Sequence, residues 1–359
     1  MKKFIQLLGS QINQHGSIVI FIALALIMFL GFAALAVDIG HITVTKNELQ
    51  NISDAASLAA TRKLGGIYEG MTYDQQQSYV CNPADIVPVA IDVGLKNVAG
   101  KKNITIDPND VIIAKWDPKT KIPPTTNDYN QPDAVRVIAR RSGSSAEGPI
   151  SNIFAKFLGK DTTDVAADAT AALTGKSTAG EGDLPVPVGI SKARFESPYC
   201  EREIHFYPTS DPLSCGGWHT YTGDTYQPNA GVKGLPTLLN DLKDGKYASP
   251  ATKTGTVFTF TGGTLTSVFD EMKALFDTMK DPETGTWTTS VAVYDSADCS
   301  NPNPGDTLRI IGFAEITITA VLETPEKIIE GVIKCNYVAP GRGGGGEYGT
   351  KGSIPGLVE

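Results

Sequence analysis

The feature that most constrains this chain is one stretch near its start, Gly16 to Leu64. It opens with an uncharged apolar run, Ile18 to Val37, and from Asp38 onward only Gly40 interrupts a helix-compatible sequence. A bilayer core of about 30 Å requires about 20 apolar residues in a helix, and Ile18–Val37 meets that length. The first part can cross a membrane, and the second reads as a helix standing out of it.

Lys2 and Lys3 precede the run, whereas Asp38, Lys46 and Glu48 follow it. The basic excess therefore lies on the N-terminal side, which predicts a cytoplasmic N-terminus and an exported body. A cleaved signal peptide is the competing reading, because Ala34-Leu-Ala before Val37 satisfies a small-x-small rule. The run exceeds the usual signal core, which favours a retained anchor. Both readings export the body. Beyond the anchor, Leu49, Ile52, Ala56 and Ala59 recur at helical spacing, with Lys46, Glu48, Asn51 and Asp54 off that stripe. The stripe suits either packing on the chain's own body or assembly with other anchored helices.

These residues carry a family resemblance. Gly16, the apolar run, Gly31-Phe-Ala-Ala-Leu-Ala-Val-Asp-Ile-Gly-His and Leu49-Gln-Asn-Ile-Ser-Asp-Ala-Ala-Ser-Leu-Ala-Ala resemble the N-terminal segment of TadE/TadG-like Flp pilus-assembly proteins. Ala134-Val-Arg-Val-Ile-Ala-Arg-Arg and Ile153-Phe-Ala-Lys-Phe-Leu-Gly echo a strand and a helix that often follow in TadG-like proteins. The resemblance implies a single-pass inner-membrane protein of a Tad-type pilus and secretion machine, with a periplasmic body and no enzymatic activity. Some larger relatives carry a metal-binding Asp-x-Ser-x-Ser loop. The nearest string here, Asp295-Ser-Ala-Asp-Cys, lacks the required serines, so metal-dependent adhesion is not carried over. Type IV prepilins offer a second comparison. Gly16-Ser17 could be a processing junction, but the fifth residue after the glycine is Phe21 rather than Glu, which argues against a conventional major pilin.

After the anchor roughly 295 residues remain, enough for one large or two medium domains. Charged residues are 19% of the chain, and its 37 glycines and 22 prolines suit an exported strand-and-loop fold. The net charge of −8 disfavours nucleic acid as a partner. All five cysteines follow the anchor, in a space where disulfides persist. Cys200 with Cys215, across a short loop, and Cys299 with Cys335 are the preferred pairs. Cys81 is left as a free thiol or an intermolecular bridge. Cys200, His205, Cys215 and His219 also have spacing within reach of zinc, but an oxidising compartment favours the disulfide.

The expected fold class is α+β, a transmembrane helix extended into a strand-rich body with a few helices. Residues 1–16 form the cytoplasmic N-terminus, 17–64 the anchor and helical stalk, and 65–175 a first periplasmic unit. Residues 176–183 form a linker, 184–339 a disulfide-stapled second unit, and 340–359 a Gly-rich flexible tail. Residues 65–83 read as a connector. Helices are expected over Ala84–Val98, Pro149–Leu158 and Leu265–Met279, the last ended by Pro282. Strands are expected over Val111–Trp116, Ala134–Ala139, Glu203–Tyr207, Thr256–Thr261, Trp287–Tyr294, Leu308–Leu322 and Lys327–Val338, while Val165–Leu173 reads as a strand or an Ala-rich helix, with strand preferred.

No catalytic set emerges. There is no Gly-x-Ser-x-Gly elbow and no phosphate-binding Gly-x-x-x-x-Gly-Lys loop. The pairs Asp107/Asp110 and Asp295/Asp298 lack the ligand density of a calcium loop. No cofactor or metal is implied. Asp38, at the outer edge of the anchor, reads either as a hydrated interfacial carboxylate or as a contact for a partner helix. The resemblance implies a structural component of pilus assembly or secretion. Its partners would be pilins or other membrane proteins of the machine, with oligomers allowed. The alternative is a minor pilin or a surface adhesion module on a filament.

Overall fold

The computed structural model describes residues 15–195, 203–205, 215–221, 234–261, 266–299, 302–303, 305–323 and 325–358. The architecture is α+β: a long apolar N-terminal helix followed by a strand-rich body with a few helices. Helix α1 spans His15–Glu69, α2 Tyr73–Gln77 and α3 Pro83–Leu95. Strands β1 (Val111–Ala114), β2 (Ala134–Arg141), β3 (Val165–Ala172), β4 (Val188–Ser191), β5 (Glu203–His205) and β6 (Gly216–His219) follow. Then come α4 (Leu235–Lys243), β7 (Val257–Thr261), α5 (Thr266–Met279), β8 (Trp287–Tyr294), β9 (Thr307–Leu322) and β10 (Ile328–Ile333). The chain closes with β11 (Val338–Arg342), β12 (Lys351–Ile354) and β13 (Gly356–Leu357).

The chain divides into two compact units, each assembled from separate stretches. The first comprises Met1–Ser53, Gly94–Asp107 and Ile138–Asp168. Its core gathers Leu49, Ile52, Ile104, Ile106, Ala139 and Ile150. Buried polar groups fasten it. Ser53 Oγ donates to the Ala167 carbonyl at 2.9 Å and accepts from the Ala139 amide at 3.2 Å. Arg141 donates to the carbonyls of Ala99 and Gly148 at 2.9 and 2.8 Å. A buried guanidinium needs such partners, because an unpaired one would carry its full desolvation cost.

The second unit comprises Asp54–Val93, Pro108–Val137 and Ala169–Glu359. Thr72 caps α2 through a capping box with Gln75. The connector expected over 65–83 is therefore largely helical, holding the end of α1, all of α2 and the start of α3. A four-stranded sheet has the order β13-β3-β2-β1. A seven-stranded sheet runs β5-β10-β9-β7-β6-β4-β8, and β9 also pairs with β8. Thr307–Arg309 of β9 pair with Val257–Thr259 of β7, and residues from Ile310 to Ile318 pair with β8. Strands β9, β7, β6, β4 and β8 thus close into a ring, which removes two open edges. Phe258, Phe260, Ile190, Val291, Val293 and Phe313 belong to its core, joined by Phe269, Met272 and Leu275 of α5. The alternating burial along the first half of β8 is the period-2 signal that its sequence carries.

Two expectations are corrected. Pro149–Leu158 is not one helix: Ile150–Ser151 pairs as a strand with Thr162–Thr163, and only Ala155–Leu158 coils, as a 3-10 turn. Strand pairing takes Ile150–Ser151 out of any helix, and the left-handed Gly159 (φ +83°) ends the coil after Leu158. The Gly-rich tail is not a flexible arm. Val338–Arg342 pairs in parallel with Lys351–Ile354, and Gly356–Leu357 extends the four-stranded sheet beside Ala171–Ala172. Its glycines admit close backbone approach: a Cβ on Gly349 (φ +97°) would lie 2.3 Å from the Phe313 carbonyl oxygen.

Candidate functional site

The exposed surface of α1 is the first candidate. Phe21, Ile27, Phe29 and Leu30 are each more than 60% exposed. This is the one helix among the described residues long and apolar enough to cross a membrane, with a mean hydropathy of 3.0 in its most apolar window. Gly16 and Ser17 stand in its first turn. Water would make this surface costly at about 25 cal/mol per Å², and a bilayer removes that cost.

Asp38 follows the apolar run directly. The sequence leads one to expect a hydrated carboxylate or one facing a partner helix. The structure instead takes the carboxylate up within the first unit, leaving Asp38 only 4% exposed. Its Oδ1 accepts from the Ile153 amide at 2.7 Å, and its Oδ2 accepts from the amides of Phe154 and Ala155 at 3.0 and 2.6 Å. Three successive amides converge on one carboxylate because the 3-10 turn starting at Ala155 leaves them without backbone acceptors. Hydrogen bonds to a charged acceptor are the strong kind. The clasp joins residues 115 to 117 positions apart, so local sequence patterns could not reveal it. The available signal was that Asp38 and Ile153-Phe-Ala-Lys-Phe-Leu-Gly both lie in segments of the family resemblance.

The stripe beyond Asp38 is spent inside the chain. Leu49, Ile52 and Ala56 are buried, and Ala59 is half-buried. Within the second unit, Thr61 Oγ1 donates to the Ala171 carbonyl at 3.2 Å. Leu49, Ile52 and Ala56 thus pack within the chain itself, whereas Ala59 keeps part of its surface.

The cysteines differ from the preferred pairing. Cys215 bonds to Cys299, 84 residues away. The cause is the position of β4 between β6 and β8. Ser191, at the end of β4, donates its amide to the Cys215 carbonyl at 2.8 Å and its hydroxyl to the Asp298 carbonyl at 2.7 Å. One residue thus brings the two cysteine-bearing segments together. Cys335 is also disulfide-bonded, and Cys200 lies outside the described residues. Cys81 is a buried free thiol whose pKa burial raises, so it is a poor nucleophile.

His219 is fully buried among the rings of Tyr221, Phe258 and Phe260, with centroids 4.8, 4.6 and 5.7 Å away. Burial pushes its pKa down to about 3, so the ring is neutral at physiological pH. With Cys215 in a disulfide, the zinc spacing read from the sequence has lost one ligand. Among the described residues no cluster of three His, Cys, Asp or Glu side chains could hold a metal.

The second unit also carries two adjoining recesses of about 220 and 710 Å³ that share Lys115, Asp133, Asn336 and Lys351. Lys351 is ion-paired with Asp133, whose Oδ1 also accepts from the Trp116 amide at 2.6 Å. Lys351 and Asp133 thus satisfy each other.

Residues 16–63 match the Flp pilus-assembly TadE/G-like family. The match begins in the first turn of α1 and ends one residue short of Leu64, so it covers the exposed apolar run, Asp38 and the buried stripe. Comparison with curated proteins and with solved structures gives no significant match.

Proposed function

We propose that this protein is a membrane-anchored structural component of Flp/Tad-type pilus assembly or secretion. Its α1 crosses the bacterial inner membrane once, with the N-terminus in the cytoplasm and both units in the periplasm. It acts through protein–protein contacts with pilins or other membrane proteins of the machine and performs no catalysis. One observation carries the reading: the TadE/G-like match over residues 16–63 coincides with an apolar helix surface that none of the described residues covers. The Cys215–Cys299 disulfide suits an oxidising compartment.

Deletion of the gene tests this. Loss of filaments, restored by the full chain but not by a chain lacking residues 18–37, supports an anchored assembly role. Intact filaments with lost adhesion would replace it by the second reading, a minor pilin or adhesion module on the filament. The recess around Lys115 and Lys351 favours that second reading, as the available concave surface for a ligand.

A further inference from the structure

We propose that residues 153–158 form a second membrane contact, a foot that inserts Phe157 and Leu158 into the interface of the leaflet from which α1 emerges. The proposal rests on the reading that α1 crosses the bilayer.

Position supports it first. Asp38 is the residue immediately after Val37, the last of the apolar run. Because Asp38 holds the amides of Ile153, Phe154 and Ala155, the loop is fixed at the level where the helix leaves the apolar core. Phe157 and Leu158 follow within one turn.

The loop also has an inverted distribution of polarity. Phe157 is 79% and Leu158 89% exposed, while Asn152 at the base is only 6% exposed. Asn152 donates its side-chain amide to the Lys160 carbonyl at 2.8 Å and accepts from the Thr163 hydroxyl at 3.0 Å. A loop made for water would place these groups the other way round. The apolar tip is not loose chain: the Lys160 amide donates to the Ala155 carbonyl at 3.1 Å, closing the turn. An exposed apolar cluster held in a defined shape marks an interaction surface.

The chemistry identifies the occupant as a phospholipid bilayer. Val37 and Ile39, on either side of Asp38 in α1, are exposed as well. Lys156 and Lys160 flank the two apolar side chains, and the Lys156 ammonium lies 5.5 Å from the Phe157 ring centroid. Amphipathic lysines beside aromatic and aliphatic groups suit the boundary of headgroups and acyl chains, where interfacial segments sink about 5–10 Å. Two ammonium groups also match anionic headgroups.

The full chain, reconstituted in phosphatidylethanolamine–phosphatidylglycerol vesicles, tests the foot. Phe157→Trp and Phe29→Trp are compared with the parent protein, whose tryptophans supply the background. Lipids spin-labelled near the headgroup or deep in the acyl chain serve as quenchers, with iodide as the aqueous quencher. The proposal predicts that the added Phe157→Trp emission shifts to shorter wavelength and loses intensity with the shallow label. It also predicts that Asp38→Asn in the same chain weakens that quenching. Quenching of Phe157→Trp by iodide alone would overturn the foot, and protection from all quenchers would assign the surface to a protein contact instead. Phe29→Trp separates the two claims. If the deep label quenches it while Phe157→Trp stays in water, only the foot fails. If neither position meets lipid, the anchor fails as well.

Discussion

A Cβ added to Gly65 would lie 2.1 Å from the carbonyl oxygen of Ser353. The end of α1 thus meets the C-terminal segment backbone to backbone, within the second unit. Ordinarily Gly→Ala in a helix stabilises by about 1 kcal/mol. Here overpacking should reverse the sign, at a cost of about 1–3 kcal/mol. Gly65→Ala should lower the thermal midpoint, whereas Gly66→Ala, with open space around it, should raise it. Equal effects at both positions would mean that Gly65 and Ser353 do not meet.

Asp38→Asn should loosen the loop it holds. Hydrogen bonds to charged groups contribute about 1.5–3 kcal/mol each at most, and the variant leaves three amides with a weaker acceptor. Hydrogen exchange should quicken at Ile153, Phe154 and Ala155 and stay unchanged in β8 and β9. Asp38→Ala should have the larger effect.

His219 makes stability depend on pH. Its folded pKa is pushed from 6.5 down to about 3 by burial. Between those values the unfolded chain binds a proton that the folded chain does not. The histidine's contribution is therefore fully present above pH 6.5 and is lost as pH falls toward 3, by up to about 1.4 kcal/mol per pH unit. Denaturant titrations from about pH 7 to about pH 4 should show this slope. His219→Gln should flatten it.

The Cys215–Cys299 bond closes a loop of 84 residues. Chain entropy assigns such a cross-link about 4.5 kcal/mol. Cys215→Ser together with Cys299→Ser should lower stability by an amount of that order. Non-reducing peptide mapping should recover the peptides of Cys215 and Cys299 joined.

What the sequence made legible follows from the range of each interaction. The long apolar helix could be read because no charged residue interrupts Ile18–Val37. The Leu49, Ile52 and Ala56 stripe and the strands at Trp287–Tyr294 and Thr307–Leu322 could be read because burial imposes a period. The cysteine pairing could not, since it depends on β4 lying between β6 and β8, with Ser191 bonded to both cysteine-bearing segments. Nor could the tail, because glycines chosen for close approach, as at Gly349 and Phe313, look like glycines of a flexible arm. The Asp38 clasp escaped for the same reason: its amides arrive from a distant loop.

Cell fractionation with intact-mass measurement tests the account most directly. Inner membranes, outer membranes, soluble periplasm and sheared filaments would be separated, and the mature protein weighed in each. The account predicts a species retaining residues 18–37 in the inner membrane, resistant to carbonate extraction. A species beginning at Val37 in the soluble fraction would show a cleaved signal and contradict the anchor. One beginning at Ser17 in filaments would make the chain a processed minor pilin.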